Sequence, residues 1–466
     1  MSFELMAPLM FAGLVVFLLL GYPVAFSLAA NGLLFGLVGI GLGYFGFEQL
    51  QALPDRLFGI MSNATLLAIP FFTFMGLILE RSGMAEELLD SLGQLFGALR
   101  GGLAYSVILV GALLAATTGV VAASVIAMGL ISLPIMLRLG YDTRLAAGVI
   151  AASGTLAQII PPSLVLIILA DQLGVSVGDM YHGALAPALV LTGLYLGFVF
   201  LVTLIRPAAA PAMPPAMRSL RGMALAKKAL ASMGPPLLLI FLVLGTIFAG
   251  IATPTEGGAM GATGALILAL ARKRLSLDLL RQAMDTTTRL TSFVIFILIG
   301  STVFTLVFRL MEGDLWVEGL LSSLPGGVIG FLIAVNLLVF LLAFFLDFFE
   351  IAFIIVPLLA PVAQKLGIDL VWFGVLLGIN MQTSFMHPPF GFALFYLRSV
   401  APKAVRTSDI YWGAIPFVVI QIIMVAVVLS FPGLVGVNDG AAPAGVQEIR
   451  TEDAGAGYLL PPESRP

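Results

Sequence analysis

Two proline pairs, each following a run of polar residues inside an apolar stretch, are the parts of this sequence best suited to chemistry. The first break comprises Ser153-Gly154-Thr155 and Pro161-Pro162-Ser163, and the second comprises Asn380 to Ser384, Pro388-Pro389 and Gly391. A proline pair removes two amide donors and frees carbonyl oxygens, so a membrane helix tolerates it only where the break lines a cavity. Freed carbonyls and hydroxyls suit Na⁺, and the N-terminus of a half-helix attracts an anion.

The elements that must position these breaks are two long apolar stretches, one before each break. The first carries Thr117-Thr118-Gly119 in its middle, and the second carries Asp347, with Glu350 three residues on. Loop charges place both ends of each stretch on one side of the membrane. We therefore expect two re-entrant hairpins, over 101–138 and 326–364, followed by broken transmembrane helices over 145–173 and 371–399.

This arrangement predicts two cation sites and one anion site near the middle of the membrane. The first sodium site is predicted to comprise Thr117, Thr118, Gly119, Ser153, Gly154 and Thr155. The second is predicted to comprise Asp347, Asn380, Gln382, Thr383 and Ser384. We expect the substrate between them, against Pro161, Pro162, Ser163, Pro388, Pro389 and Gly391.

Asp347 is the most informative ionisable residue, because a carboxylate at membrane depth is costly and usually faces a cavity or ion path. The alternative is an acid at a hairpin end that reaches interfacial water. Glu256 follows Thr253-Pro254 in the first turn of a helix, where a carboxylate favours the helix dipole, so we expect a structural role for it.

Composition supports a membrane protein and argues against several enzyme classes. Of 466 residues, 60% are hydrophobic and 10% are charged, whereas soluble domains carry roughly 25% charged residues. Mean hydropathy is +1.11. The chain has no cysteine and two histidines, which leaves no thiolate metal site, no cysteine nucleophile and no plausible histidine triad. We expect no enzymatic activity, no cofactor apart from Na⁺ as coupling ion, and no nucleic-acid partner.

The two halves of the chain repeat each other. Leu139-Gly140-Tyr141-Asp142 recurs as Leu366-Gly367-Ile368-Asp369, and the same offset in numbering that separates these motifs also separates Pro161 from Pro388. The basic run from Arg206 to Lys228 indicates a cytoplasmic loop, and the acidic loop around Glu312 indicates an external one. The halves then have opposite orientations, which is typical of secondary transporters.

These signals divide the chain into four parts. We expect a first inverted repeat over 1–205, a cytoplasmic linker over 206–230, a second repeat over 231–432 and a disordered external tail over 433–466. The amphipathic segments Phe47 to Phe58 and Leu275 to Met284 occupy matching places and are expected to lie along the membrane surface as arms. The fold class is thus an all-α polytopic membrane protein with inverted repeats.

At these motifs the sequence resembles the large membrane subunit of the TRAP (tripartite ATP-independent periplasmic) transporters, of the DctM type. The motifs that carry the resemblance are Ala252-Thr253-Pro254-Thr255-Glu256, Gly140-Tyr141-Asp142, Ser153-Gly154-Thr155, Ile160-Pro161-Pro162-Ser163, Gln382-Thr383-Ser384-Phe385 and Pro388-Pro389-Phe390-Gly391. The resemblance implies sodium-coupled, elevator-type transport of an organic acid in the bacterial inner membrane. It also implies two partners, a small four-helix membrane subunit and a periplasmic substrate-binding protein.

The hairpin tips depart from the family's commonest pattern. They read Thr117-Thr118-Gly119-Val120 and Asp347-Phe348-Phe349-Glu350, where the family often has Ser-Gly-Ser-Ser and Asp-Pro-Thr-Pro. The second tip, together with the stretch from His387 to Arg398, resembles the branch associated with keto acids, hydroxy acids such as lactate, and similar monocarboxylates. Two other functions stay open at this point, a stand-alone sodium/dicarboxylate symporter of the related ion-transporter superfamily and, more distantly, a membrane-embedded enzyme.

Overall fold

The computed structural model describes residues 3–218, 220, 222–344 and 346–436, and every regular element in them is a helix. The α-helices are α1 Met6–Leu19, α2 Val24–Gly41, α3 Ala52–Met61, α4 Ala68–Arg81, α5 Met84–Phe96, α6 Gly102–Thr118, α7 Val121–Arg138, α8 Thr143–Thr155, α9 Leu164–Leu173, α10 Val177–Ile205, α11 Gly222–Phe248, α12 Pro254–Ala271, α13 Leu277–Leu310, α14 Gly313–Ser322, α15 Gly327–Leu342, α16 Phe348–Glu350, α17 Val356–Lys365, α18 Leu370–Ser384, α19 Phe392–Val400 and α20 Thr407–Ser430. Short 3-10 turns join several of them, and a π-helical turn, Ile351–Ile355, joins α16 to α17. The predicted all-α class is confirmed.

Eight helical segments in the described residues are long and apolar enough to cross a bilayer. They are Val24–Gly41, Ala64–Arg81, Val121–Arg138, Val177–Ile205, Gly222–Phe248, Leu277–Leu310, Phe348–Lys365 and Thr407–Ser430. A ninth candidate is the pair α14 and α15, which bends by 115° between its two helices. The chain is therefore a multi-pass membrane protein.

The helices repeat with the register found in the sequence. The offset that relates Asp142 to Asp369 also relates both ends of Val121–Arg138 to both ends of Phe348–Lys365. Asp142 and Asp369 each cap the helix that follows them. Asp142 Oδ1 accepts from the N–H groups of Arg144 and Leu145 at 2.9 and 3.1 Å, and Asp369 Oδ1 accepts from Trp372 N–H at 2.7 Å. The repeated Leu-Gly-x-Asp motif is thus the start of a helix in both halves.

Contacts along α20 show that the two halves are inverted. At its start, Asp409 pairs with Arg144, in the first turn of α8 (Nε to Oδ1, 3.4 Å). Near its end, the Val428 carbonyl accepts from the indole N–H of Trp372, in the first turn of α18, at 3.2 Å. Because α20 has 24 residues and is roughly 36 Å long, α8 and α18 enter the molecule from opposite ends. The inverted-topology prediction is confirmed.

The segment between the halves packs on the base of the first hairpin. The carbonyls of Ala209 and Ala210 accept from the N–H groups of Asp142 and Gly101, both at 2.9 Å. The following helix, α11, begins at Gly222, inside the range 206–230 expected for the linker. The alanine-rich residues after Gly222 are good helix formers, which explains the early start.

The two expected surface arms differ in structure. In the first half, α3 ends at Met61, and Asn63 then caps the 3-10 turn Ala64–Leu67 by accepting from Thr65 N–H at 2.9 Å. In the second half, residues 277–284 of the expected arm are the first turns of the 34-residue helix α13 itself. An asparagine cap therefore separates one arm from its membrane helix, and the other arm is continuous. Residues 437–466, in the expected tail, lie outside the described residues.

Candidate functional site

Both predicted breaks interrupt the helix path in the structure. In the first, α8 ends at Thr155, the 3-10 turn Leu156–Gln158 follows, and α9 begins at Leu164. In the second, α18 ends at Ser384 and α19 begins at Phe392. The Pro161-Pro162 and Pro388-Pro389 peptide bonds are both cis. The two breaks therefore have matching backbone construction.

The polar residues of the first break are buried between the arms of the first hairpin. A Cβ at Gly111, on α6, would lie 2.5 Å from Ser153 Cβ, and a Cβ at Gly154 would collide with Val125, on α7. The Ser153 hydroxyl donates to the Ile150 carbonyl at 2.9 Å. The structure thus brings Ser153 and Gly154 into close contact with both hairpin arms.

The first hairpin tip touches the break. Gly119 adopts a left-handed conformation (φ 58°), and a Cβ there would lie 3.3 Å from Leu164 Cγ and 3.6 Å from the Pro162 carbonyl oxygen. Gly119 therefore suits both the turn and the close approach. Thr117 and Thr118 form the last turn of α6, and their side chains lie outside the described part of the chain.

The polar residues of the second break are buried in the same way. The Asn380 amide donates to the Asn336 carbonyl at 2.8 Å and to Asn336 Oδ1 at 2.9 Å, which ties the break to α15 of the second hairpin. The hydroxyl of Thr383 donates to the Asn380 carbonyl at 2.6 Å, and that of Ser384 donates to the Met381 carbonyl. Asn336 was not predicted from the sequence, although an asparagine in an otherwise apolar helix could have indicated a buried polar contact.

The second hairpin tip is closed by reciprocal hydrogen bonds between Asp347 and Glu350. Asp347 Oδ1 accepts from Glu350 N–H at 2.9 Å, and Asp347 N–H donates to Glu350 Oε2 at 3.0 Å. This capping box begins α16. Thr253 and Glu256 form the same motif at the start of α12, which gives Glu256 its expected structural role.

A hydrogen-bonded cluster joins the two halves beside the breaks. The Gln382 amide donates to the Thr155 hydroxyl at 3.2 Å, and the Gln421 amide donates to the same oxygen at 3.4 Å and to the Tyr195 hydroxyl at 2.8 Å. Thr155 in turn donates to the Ala152 carbonyl at 2.9 Å. One predicted residue from each sodium site is therefore part of a single buried cluster.

One cavity of about 250 Å³ is lined by both tips, both broken helices and α13. Its lining comprises Gly119, Val120, Val121, Ala122, Gln158, Leu164, Val165, Leu290, Phe293, Asp347, Phe348, Phe349, Phe385, Phe392 and Tyr396. Among these residues, Asp347 alone carries a charge. None of the six predicted substrate residues is among these lining residues, although Leu164 and Phe392 directly follow Ser163 and Gly391 in the chain. The role of those six stays a prediction.

Gln158 is a polar lining residue that was not predicted from the sequence. Its side chain is 1% exposed, and neither amide atom has a hydrogen-bond partner among the described residues. A buried amide without a partner is costly unless a ligand or water satisfies it. A glutamine three residues before a proline pair, in an otherwise apolar run, could have indicated a polar residue at the cavity.

Comparisons with known proteins agree with this architecture. The family model described as "Tripartite ATP-independent periplasmic transporter, DctM component" matches residues 11–434. The C4-dicarboxylate TRAP transporter large permease protein DctM of Pseudomonas aeruginosa is 31% identical over 392 residues, covering 84% of this chain and 90% of that protein. The 2,3-diketo-L-gulonate TRAP transporter large permease protein YiaN of Escherichia coli is 27% identical over 434 residues, covering 92% and 98%. The Alcanivorax borkumensis YdaH transporter shares the fold, with a TM-score of 0.58, 16% identity and coverage of 82% of this chain and 89% of that one.

Proposed function

Because this chain belongs to the DctM family of tripartite ATP-independent periplasmic transporters, we propose that it imports a small organic acid anion by sodium-coupled transport. In this proposal it is the large transmembrane subunit of the transporter, it lies in a bacterial inner membrane, and it converts no substrate chemically. The named relatives are large permeases for C4-dicarboxylates and for 2,3-diketo-L-gulonate, which supports a carboxylate as the transported group.

The observation that carries the proposal is the shared cavity between the two hairpin tips. Each tip comes from a different half, and each half also contributes its broken helix to the same cavity. The first turn of α9, at Leu164 and Val165, faces the cavity, so the positive end of a helix dipole lies beside it. An anion between the tips would contact both halves at once.

Sodium would bind beside each break and order the adjacent tip. At the first break we place it with Thr117, Thr118 and Gly119 and the group Ser153, Gly154 and Thr155. At the second we place it with Asp347 and the group Asn380, Gln382, Thr383 and Ser384. Backbone carbonyls and hydroxyls are hard oxygen ligands, and the positive charge of the ions would favour a carboxylate between the tips.

Transport would follow an elevator mechanism. The domain of both hairpins and both broken helices would slide against a scaffold made of the remaining helices. The cavity supports this division, because Leu290 and Phe293 of α13 face the tips across it. A periplasmic substrate-binding protein would deliver the acid, and a small four-helix membrane subunit would complete the transporter.

The proposal is tested by uptake of labelled organic acids into proteoliposomes that contain the chain with its membrane partner. The binding protein and the sodium gradient are each supplied or omitted. We expect uptake only when both are present. Uptake that stays complete without sodium would reject the coupling, and sodium-driven uptake without the binding protein would identify a stand-alone symporter instead.

A further inference from the structure

A groove between α10 and α20 opens at the end of the molecule that loop charge places in the cytoplasm. It has a volume of about 320 Å³. Its two walls present apolar residues at helical spacing, which are Phe198, Val202 and Ile205 from α10 and Trp412, Pro416 and Phe417 from α20. The rings of Phe198 and Phe417 meet edge to face, with centroids 5.1 Å apart, at the inner end. The groove is therefore apolar along its length.

The surface around the mouth of this groove faces lipid. In the last turns of α10, Leu201, Leu204 and Ile205 are 53%, 61% and 76% exposed, and Trp412 on α20 is 59% exposed. Apolar side chains this exposed on a membrane helix contact acyl chains, and tryptophan concentrates at the level of the lipid headgroups. The mouth therefore lies at the boundary between the acyl chains and the headgroups of the cytoplasmic leaflet.

Two arginines line the mouth. Arg206 is exposed, and its guanidinium has no partner among the described residues. The Arg144 guanidinium makes one bond, from Nε to Asp409 Oδ1 at 3.4 Å, which leaves its two terminal nitrogens available. Asp142 also lines the mouth, but its Oδ1 accepts from the N–H groups of Arg144 and Leu145 and caps α8. Because guanidinium groups bind phosphate oxygens through paired N–H donors, the mouth suits one phosphate group.

We propose that this groove binds an anionic phospholipid of the cytoplasmic leaflet. The phosphate lies between Arg144 and Arg206, and one acyl chain lies along the apolar walls toward Phe198 and Phe417. A basic pocket between membrane helices on the cytoplasmic side is typical of a site for an anionic headgroup.

The groove favours this occupant over two others. A soluble anion would leave the apolar walls in contact with water, whereas an acyl chain gains from burial there. A zwitterionic lipid would bring an ammonium group to a mouth whose nearby carboxylates, Asp142 and Asp409, already have partners. An anionic lipid satisfies both the arginines and the apolar walls.

Trp412 makes occupancy of the groove measurable, because bromine atoms on an acyl chain quench the fluorescence of a tryptophan that they touch. The full chain is placed in phosphatidylcholine nanodiscs that contain increasing fractions of brominated phosphatidylglycerol or of brominated phosphatidylcholine. The same titrations on Trp412→Phe, subtracted from those on the parent, separate the signal of Trp412 from that of the other two tryptophans. We expect half-maximal quenching at about a fivefold lower fraction of phosphatidylglycerol, because one basic residue near the membrane surface attracts an anionic lipid about that strongly.

Arg206→Gln tests the mouth of the groove. Because the Arg206 side chain is exposed and has no partner in the described part of the chain, the variant should fold like the parent. Its preference for phosphatidylglycerol should fall to about twofold or less. Arg138→Gln is the matched control, because Arg138 is an exposed arginine in the last turn of α7, at the same end of the molecule, and is not among the lining residues. This control should keep the full preference.

Equal quenching by the two lipids, or a preference that Arg206→Gln reduces no more than Arg138→Gln does, would overturn the proposal. Glycerol phosphate supplies the phosphate without acyl chains and should leave the quenching by brominated phosphatidylglycerol unchanged at millimolar concentration. Displacement of the lipid by glycerol phosphate would identify a site for a soluble anion and would also overturn the proposal. None of these measurements involves transport, so their outcome is independent of the proposed function.

Discussion

Thr155 and Gln382 occupy equivalent positions in the two halves, and they bond directly to each other at 3.2 Å. The axis that relates the halves therefore passes close to this pair. The Thr155 hydroxyl donates once and accepts twice, which is its full hydrogen-bonding capacity. Thr155 thus links the halves, and a sodium ion could bind its hydroxyl oxygen only by displacing one of the two amide donors.

We predict that Thr155→Val lowers stability and weakens sodium dependence. The substitution removes the acceptor of Gln382 and Gln421, and a buried amide left without its partner costs about 1–3 kcal/mol. Thermal unfolding of the purified protein and the sodium concentration for half-maximal uptake measure the two effects. Thr155→Ser keeps the hydroxyl and should resemble the parent.

The matched control for this change is Thr263→Val, because the Thr263 hydroxyl is exposed and donates only to the Ala259 carbonyl of its own helix. If Thr155→Val were as stable and as sodium-dependent as this control, the link between the halves would have no energetic role.

We predict that Asp347→Asn keeps the hairpin tip folded but impairs sodium use. Asparagine caps a helix about as well as aspartate, so stability should change by less than about 0.5 kcal/mol. A sodium ligand would lose its charge, and even a hydrogen bond to a charged group is worth about 1.5–3 kcal/mol. The sodium concentration for half-maximal uptake should then rise about tenfold or more.

Asp369→Asn is the control for the charge change. Asp369 caps α18 in the same way as Asp347 caps α16, but it lies at the end of the molecule near Val428 and away from the cavity. Equal sodium dependence in the two variants would leave Asp347 as a helix cap and nothing more.

Much of the fold could be predicted because it depends on local signals. Proline pairs, the Leu-Gly-x-Asp motif and long apolar runs each act within one or two helical turns. A single ungapped register then matched the halves, and loop charge gave their opposite orientation. The break between α3 and α4 was harder to predict, because it rests on Asn63 accepting from Thr65 N–H, whereas the corresponding part of α13 stays helical.

The site was harder to predict because it depends on which residues meet across the halves. The Asp347 to Glu350 spacing is that of a capping box, yet a carboxylate in an apolar run also suits an ion site. The structure shows the capping box and places Asp347 on the cavity wall, and its role as a sodium ligand stays a prediction. Gln158 was not predicted as a site residue. Its equivalent in the second half is the aromatic Phe385, so comparison of the two halves indicates no polar role at this position. The importance of Gln158 depends on a cavity that forms only when both tips are in place.

We predict that a methyl group at Gly148 or Gly413 destabilises the protein. A Cβ at Gly148 would collide with the Gly413 carbonyl, and a Cβ at Gly413 would collide with the Arg144 carbonyl, so α8 and α20 are in backbone contact there. Overpacking of this kind costs about 1–3 kcal/mol. Gly148→Ala and Gly413→Ala should each lower the unfolding temperature in detergent, whereas Gly197→Ala, which has open space around it, should not.

The contact between Asn63 and Asp171 provides a test of elevator movement. The Asn63 amide donates to Asp171 Oδ1 at 2.7 Å. Asn63 precedes α4 in the proposed scaffold, and Asp171 lies in α9 of the proposed moving domain, so this bond would have to break when the domain slides. Cysteines at both positions, in a chain that has no other cysteine, can be joined by oxidation or by a short bifunctional maleimide.

We predict that this cross-link stops transport in proportion to the cross-linked fraction, and that reduction of the disulfide restores uptake. The control is a cysteine pair at Arg81 and Gln282, whose side chains bond at 3.0 Å and which both belong to the proposed scaffold. That cross-link should leave uptake unchanged, because the two positions need not separate. Full uptake with positions 63 and 171 joined would mean that the tips open while the two domains stay in place, and the elevator proposal would then be wrong.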